Sequence, residues 1–215
     1  MAVVKSVNIG IIKDYGEFSS AMDKHSVSSI ICDFNGVKDD NLSDTKHHGG
    51  VDKAVFANAF SNYKIFNKFA NRSLNPGQMG ENLTILDIDE KSVYIGDIHR
   101  IGSAILEVSQ PRKPCAKLNK IIAPKISKFI FENGLSGWYY RVLKPGIITS
   151  GDEIEIISQN QNNLSIMELN MLFYAPKEHL NLIPKLQSTN IQNSWKDTIT
   201  ARLKGVYDDS YMYEI

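Results

Sequence analysis

The chain has 215 residues, enough for one sizeable core with an appendage but short for two full domains. Its 24 basic and 24 acidic residues cancel, which excludes a strongly charged field of the kind that holds a nucleic acid polymer, and the 42% hydrophobic content argues against wholesale disorder. Cys32 and Cys115 are the only cysteines, too few for a disulfide framework or for a four-thiolate iron–sulfur or zinc site, so any such electron relay must belong to another protein.

The first residues, Met1 to Ile9, alternate like a strand and lack the charged start, apolar block and cleavage site of a secretory signal. No apolar run has the length needed to cross a bilayer, so a cytoplasmic protein without membrane attachment is expected. Val3–Ile9 and Ser28–Phe34 are short, β-branched and bounded by Gly or polar residues, hence strands. Cys32 lies in the second beside Ile30, Ile31 and Phe34 and reads as a packed core thiol. A polar loop follows from Asp33 to Asp44.

Lys46-His47-His48-Gly49-Gly50-Val51-Asp52-Lys53-Ala54 then feeds a helical pattern in which Val55, Phe56, Ala59, Phe60, Tyr63, Phe66 and Phe69 share a face. Free N–H groups at its start, near Asp52 to Ala54, would suit an anion; a plain Gly-Gly turn is the alternative. The adjacent His47 and His48 are poorly spaced for a shared metal, and one reads as a polar loop contact. A second glycine-punctuated loop, Asn75 to Leu83, leads into the short strand Leu83–Leu86. Ser92–Ile95, Ile98–Ile101 and Ala104–Val108 form a meander of short strands, which suggests a barrel or sandwich.

The stretch Val108 to Leu118 contains the most unusual chemistry. Pro111 and Pro114 stiffen the loop after a strand, and Arg112, Lys113 and Lys117 lie within three residues of Cys115, where their charge favours a thiolate. Such a sulfur can attack, carry sulfur or bind a soft metal; the alternative is a small buried hydrophobe after a turn. A helix with Ile126, Phe129 and Ile130 on one face stops at Gly134, and Gly137–Leu143 and Asp152–Ile157 read as returning strands. Beyond Ser158 a polar linker at 159–163 introduces three short helices: one carrying Leu164, Met167, Met171 and Leu172, one around Leu180 and Ile183 that Pro184 interrupts, and one burying Trp195, Ile199 and Leu203. The expected organisation is therefore a β-rich unit over 1–158 and a helical region over 159–215, mainly β with helices (α+β), with dimerisation a plausible use of the tail.

Several blocks occur together in one order: His48-Gly49-Gly50 with Asp52-Lys53-Ala54, Gly80-Glu81-Asn82-Leu83, Val93 to Asp97, Ser109-Gln110-Pro111-Arg112, Pro114-Cys115 with Lys117-Leu118, Gly137-Trp138, and Ser194-Trp195-Lys196 in the tail. This combination resembles MOSC-domain proteins of the YiiM type over most of the chain. The resemblance implies a MOSC β-barrel that binds the molybdenum cofactor (molybdopterin), with Cys115 as the protein's ligand to molybdenum. It implies reduction of a small N-hydroxylated substrate such as 6-N-hydroxylaminopurine to the amine, with electrons from a separate reductase, iron–sulfur or flavin protein. His48, Gly49, Gly50, Lys53, Asn82, Ser109, Gln110, Arg112, Lys117 and Arg141 are the expected cofactor contacts. A persulfide-carrying sulfur-transfer protein using Cys115 and a noncatalytic cofactor carrier are the alternatives.

Overall fold

The computed structural model describes residues 1–43 and 49–210. In chain order the strands before the first helix are β1 (Val3–Ile9), β2 (Lys13–Asp14), β3 (Ser19–Ser20), β4 (His25–Val27), β5 (Ser29–Asp33), β6 (Gly36–Val37) and β7 (Val55–Ala59). Then come α1 (Phe60–Ala70), β8 (Leu83–Leu86), β9 (Ile98–Ile101), β10 (Ala104–Pro111), α2 (Lys117–Ile121), α3 (Ile126–Asn133), β11 (Trp138–Lys144), β12 (Gly146–Thr149) and β13 (Ile154–Ser158). The tail holds α4 (Ile166–Tyr174), α5 (Ile183–Ser188) and α6 (Asn193–Lys204). The expected mixture, mainly β with helices, is what the chain forms, and among the described residues no helix is long and apolar enough to cross a membrane.

Eight strands pair in the order β13-β9-β10-β11-β7-β8-β1-β4, all antiparallel except β7 with β8. The sheet curls until the segment entering β13 meets the start of β1. Val4 N–H donates to Asp152 O at 2.9 Å, Gly151 N–H to Val4 O at 2.8 Å, and Ile154 N–H to Ala2 O at 2.9 Å. These bonds make one bridge, Val3 with Glu153, rather than a ladder, so the barrel expected from the meander is an open, curled sheet. Val93–Ile95 belongs to no strand; Tyr94 makes a lone bridge to Ser165.

The helix expected from Val55 begins five residues late. Val55–Ala59 is a strand buried along its whole length, between parallel β8 and antiparallel β11. A strand covered on both faces needs no alternation, so its continuous apolar run merges with the helical pattern that follows. Ahead of it Val51–Lys53 makes only a single 3-10 turn, so the helix N-terminus expected to receive an anion at Asp52–Ala54 does not exist.

One core runs from the sheet into the C-terminal helices, joining Val4, Leu83, Leu106 and Trp138 to Leu169, Phe173, Trp195 and Ile199. In α4 the buried apolar residues are Ile166, Leu169, Leu172 and Phe173, while Met171 is exposed; contact with the sheet on one side and α3 and α6 on others widens the buried arc beyond the predicted Met face. Ser165 caps α4 by accepting from Glu168 N–H while Glu168 accepts from Ser165 N–H, and Pro184 opens α5 rather than cutting it. A second core under α1 to α3 contains Tyr63, Phe66, Met79, Leu118 and Ile126. Cys32 is buried, and burial pushes its thiol up to about 12, consistent with the packed thiol expected.

His99 is buried with Nδ1 2.8 Å from the Tyr140 hydroxyl, and burial pulls its pKa from 6.5 to about 4. Between those values the unfolded chain binds the proton and the folded chain does not, so stability falls as pH drops from 6.5 towards 4. Thermal unfolding followed by circular dichroism should show that decline, with His99→Gln removing up to about 3 kcal/mol of it. Gly137 has φ +66°, and a Cβ there would stand 2.3 Å from the Ala57 carbonyl oxygen. Gly137→Ala should therefore cost about 3 kcal/mol or more in denaturant unfolding, through strain plus the forced separation of β11 from β7.

Candidate functional site

A cleft of about 820 Å³, open mouth included, lies where the 20–24 segment, the 35–43 loop, the entry to β7, the 80–82 turn and the loop after β10 converge. Ser43 and Gly49, which flank residues 44–48, both line it. Period-two alternation in β11 explains one wall: Trp138 and Tyr140 enter the main core, and Tyr139 between them faces the cleft opposite its cross-strand partner Phe56. Their rings stand 5.1 Å apart.

Lys24, Lys53, Arg112 and Lys117 line the cleft, and among the described residues Asp40 is the one carboxylate that lines it with them. Asp40 is consumed internally. It pairs with the buried Lys24 ammonium and accepts from the Asn82 amide at 2.8 Å. Burial lowers the Lys24 pKa, while Asp40 and then Glu81 act to raise it. Arg112 is 6% exposed and lies over the Phe56 ring at 4.8 Å. It donates to Met79 O at 2.6 Å and to the Met22 sulfur at 3.3 Å, but no carboxylate pairs with it among the described residues. Two of its five donors are thus used by protein. Lys117, half-buried, donates to Ser19 O at 3.1 Å.

The turn that carries Asn82 is fixed from behind. Glu81 is fully buried and accepts from the Tyr63 hydroxyl, from Thr84 Oγ1 at 2.6 Å and from Gly77 N–H at 2.9 Å. Burial raises its pKa. Asn82 accepts from Phe56 N–H at 3.1 Å, which ties the turn to β7. Gly80, at φ +94°, leaves open the space beside Arg112 into which a Cβ would project, 2.8 Å from Met22 Cγ and 3.7 Å from the guanidinium.

Cys115 is half-buried in the loop between β10 and α2, against the edge of the second core. Its carbonyl accepts from Ser127 Oγ at 2.5 Å and from Leu118 N–H at 3.2 Å, which pins the loop onto α3. The residue is not itself in the cleft wall; Arg112 and Lys117 on either side of it are. Burial pushes the Tyr139 phenol up, and Arg112, which would favour a phenolate, opposes that rise. No group of three or more metal-ligating His, Cys, Asp or Glu residues occurs among the described residues.

Of the predicted contacts, Gly49, Lys53, Asn82, Arg112 and Lys117 line the cleft, and His48 lies outside the described residues. Gly50, Ser109, Gln110 and Arg141 do not line it. The last three are engaged with the 3-10 turn instead. Ser109 Oγ donates to Asp52 O at 2.5 Å, Gln110 Nε2 to the same oxygen at 3.4 Å, and Arg141 Nε to Asp52 Oδ1 at 2.8 Å. Burial opposes the Arg141 charge, but bonds to Asp52 and Glu107 outweigh it and raise the pKa. These residues place the neighbouring Lys53 from behind.

Lys24, Asp40, Phe56 and Tyr139 were missed as site residues. Asp40 lies in the stretch expected to be a polar loop, and only the tertiary structure buries it together with Lys24. Tyr139 carried a usable signal, since alternation in Trp138-Tyr139-Tyr140 sets it opposite its neighbours.

The MOSC domain profile matches residues 44–155. YflK of Bacillus subtilis is 32% identical over 177 residues, covering 81% of this chain and 80% of that protein. A protein of Gibberella moniliformis named Reductase is 31% identical over 200 residues, 88% of this chain but 35% of that much longer protein. The crystal structure of YiiM from Geobacillus stearothermophilus superposes with a TM-score of 0.78 at 29% identity, covering 94% of this chain and 100% of that one. The chain therefore belongs to the MOSC-domain family and is of the YiiM type.

Proposed function

We propose that the chain is a molybdenum cofactor-dependent reductase of N-hydroxylated compounds such as 6-N-hydroxylaminopurine, yielding the amine and water. The observation that carries this reading is Arg112, a buried guanidinium that no carboxylate among the described residues pairs with, lining a cleft whose rim loop also carries a half-buried thiol. An unpaired buried charge is costly unless an anion completes it. Asp40 cannot serve, because Lys24 and Asn82 occupy it.

The donor set suits an anionic prosthetic group that brings most of its own metal ligands, since the loop offers one soft sulfur and no cluster of harder ligands. Cys115 would hold the molybdenum; Arg112, Lys117 and Lys53 would hold the phosphate and pterin oxygens, with Gly80 leaving room for close approach. When bound, the cofactor supplies a metal that exchanges electrons in pairs. The net reaction takes two electrons from a separate donor protein and two protons, breaks the N–O bond and releases water. The name of the fungal relative, a reductase, agrees with this reading.

Protein purified from a cofactor-competent host should contain molybdenum, and Cys115→Ser should lose the metal and hydroxylaminopurine turnover with an artificial electron donor. Undiminished turnover in that variant would remove the ligand assignment; a labile sulfur on Cys115 without metal would make the chain a sulfur-transfer protein. Arg112→Gln should weaken cofactor retention by about 10- to 100-fold, the loss expected for charge-assisted hydrogen bonds, read as molybdenum per chain after dialysis.

A further inference from the structure

Lys113 is the one cation of the Cys115 loop to which the cleft assigns no task. It stands between Arg112, which lines the cleft, and Pro114, which precedes the thiol. Its side chain turns towards the tail. The ammonium lies 4.9 Å from the ring centre of Phe173 in α4 and 4.7 Å from that of Trp195 in α6. Those rings are themselves 5.2 Å apart and inclined by 61°, so they form two walls of a cage. Both are almost wholly buried.

No carboxylate pairs with Lys113 among the described residues, and the charged groups that bear on it, Lys53 and Arg202, are cations. A flexible lysine in that field would be expected to swing into water. The aromatic faces supply the attraction that holds it in, and they do so without cancelling its charge. Trp195 also grips the end of β10 that leads into this loop, its indole N–H donating to Gln110 Oε1 at 2.6 Å. Gln192, just ahead of α6, donates to Asp52 beside Lys53. Both the turn carrying Lys53 and the loop carrying Cys115 are thus fastened to one end of one tail helix.

We propose that Lys113 is a positioning residue: its ammonium, clamped between Phe173 and Trp195, fixes the Arg112–Cys115 loop to the C-terminal helices. The tail thereby sets where Arg112 and Cys115 stand at the cleft. The clamp follows from the geometry alone; its bearing on cofactor binding rests on the function proposed above.

The test uses the full chain, prepared without cofactor and treated with iodoacetamide, with Cys115 alkylation followed by intact mass. Cys32, wholly buried, serves as the internal unreactive thiol. Lys113→Met should be alkylated about tenfold faster than the unmodified chain, because losing two aromatic contacts to a charge frees the loop, while the far-ultraviolet circular dichroism is unchanged. Lys113→Arg keeps a cation against the rings and should restore the original rate. An unchanged or slower rate in Lys113→Met, or a rate in Lys113→Arg equal to that of Lys113→Met, overturns the clamp; should Lys113→Met fail to fold, Lys113→Gln takes its place under the same criteria. Molybdenum content of the same variants from a cofactor-competent host then separates the two readings. Faster alkylation with lower molybdenum supports both, whereas faster alkylation with undiminished molybdenum leaves the clamp standing and overturns its role in the cleft.

Discussion

A buried guanidinium that no carboxylate among the described residues neutralises is the constraint around which this molecule is arranged. Arg112 is held by a carbonyl, a thioether and an aromatic face, all of which stabilise its position and none of which neutralises it. A folded protein tolerates such a charge when the rest of the scaffold is rigid and an anion can complete the site. Three segments at the cleft meet the first condition. The 80–82 turn is nailed down by buried Glu81 and by Asn82, the entry to β7 is tied through Phe56, and the 51–53 turn is held by Arg141, Ser109 and Gln110.

The charges around the cleft divide into two kinds. Lys24 and Asp40 form a closed pair whose burial works against ionisation of the lysine and whose value lies in fixing two loops together. Arg112 and Lys117 remain open towards a ligand. The same division separates Arg141, saturated by Asp52 and Glu107, from Lys113, which is caged by rings. Carboxylates thus neutralise Lys24 and Arg141, whereas Arg112 and Lys113 are held against aromatic rings that leave their charge in place. The C-terminal helices are part of that arrangement because they share the main core with the sheet and contribute Trp195 and Gln192 to the back of the site.

Local chemistry made much of this legible. Short β-branched runs bounded by glycine marked β1, β5 and β9, the Ile126, Phe129, Ile130 spacing ending at Gly134 marked α3, and four-residue steps from Trp195 marked α6. The proline-bracketed loop with its thiol and cations stood out for the same reason, since stiffness and charge density are properties of neighbours in sequence. Gly49, Lys53, Asn82, Arg112 and Lys117 were gathered as one site from blocks of motif, and they do meet at one cleft.

What escaped sequence reasoning depended on partners far away along the chain. Val55–Ala59 became a strand because β8 and β11 cover it on both edges, which no local pattern announces. Ser109, Gln110 and Arg141 turned to Asp52 rather than to the cleft because register across β10 and β11 sets the direction of each side chain, and a shift of one residue reverses it. Lys24 and Asp40, indistinguishable from surface charges in the sequence, were buried together only when their loops folded over the same opening. The sequence by itself determined the elements and the reactive loop, since those follow from spacing within a few residues; tertiary structure alone decided which charges stay open, since that follows from which side chains are brought within a few ångströms.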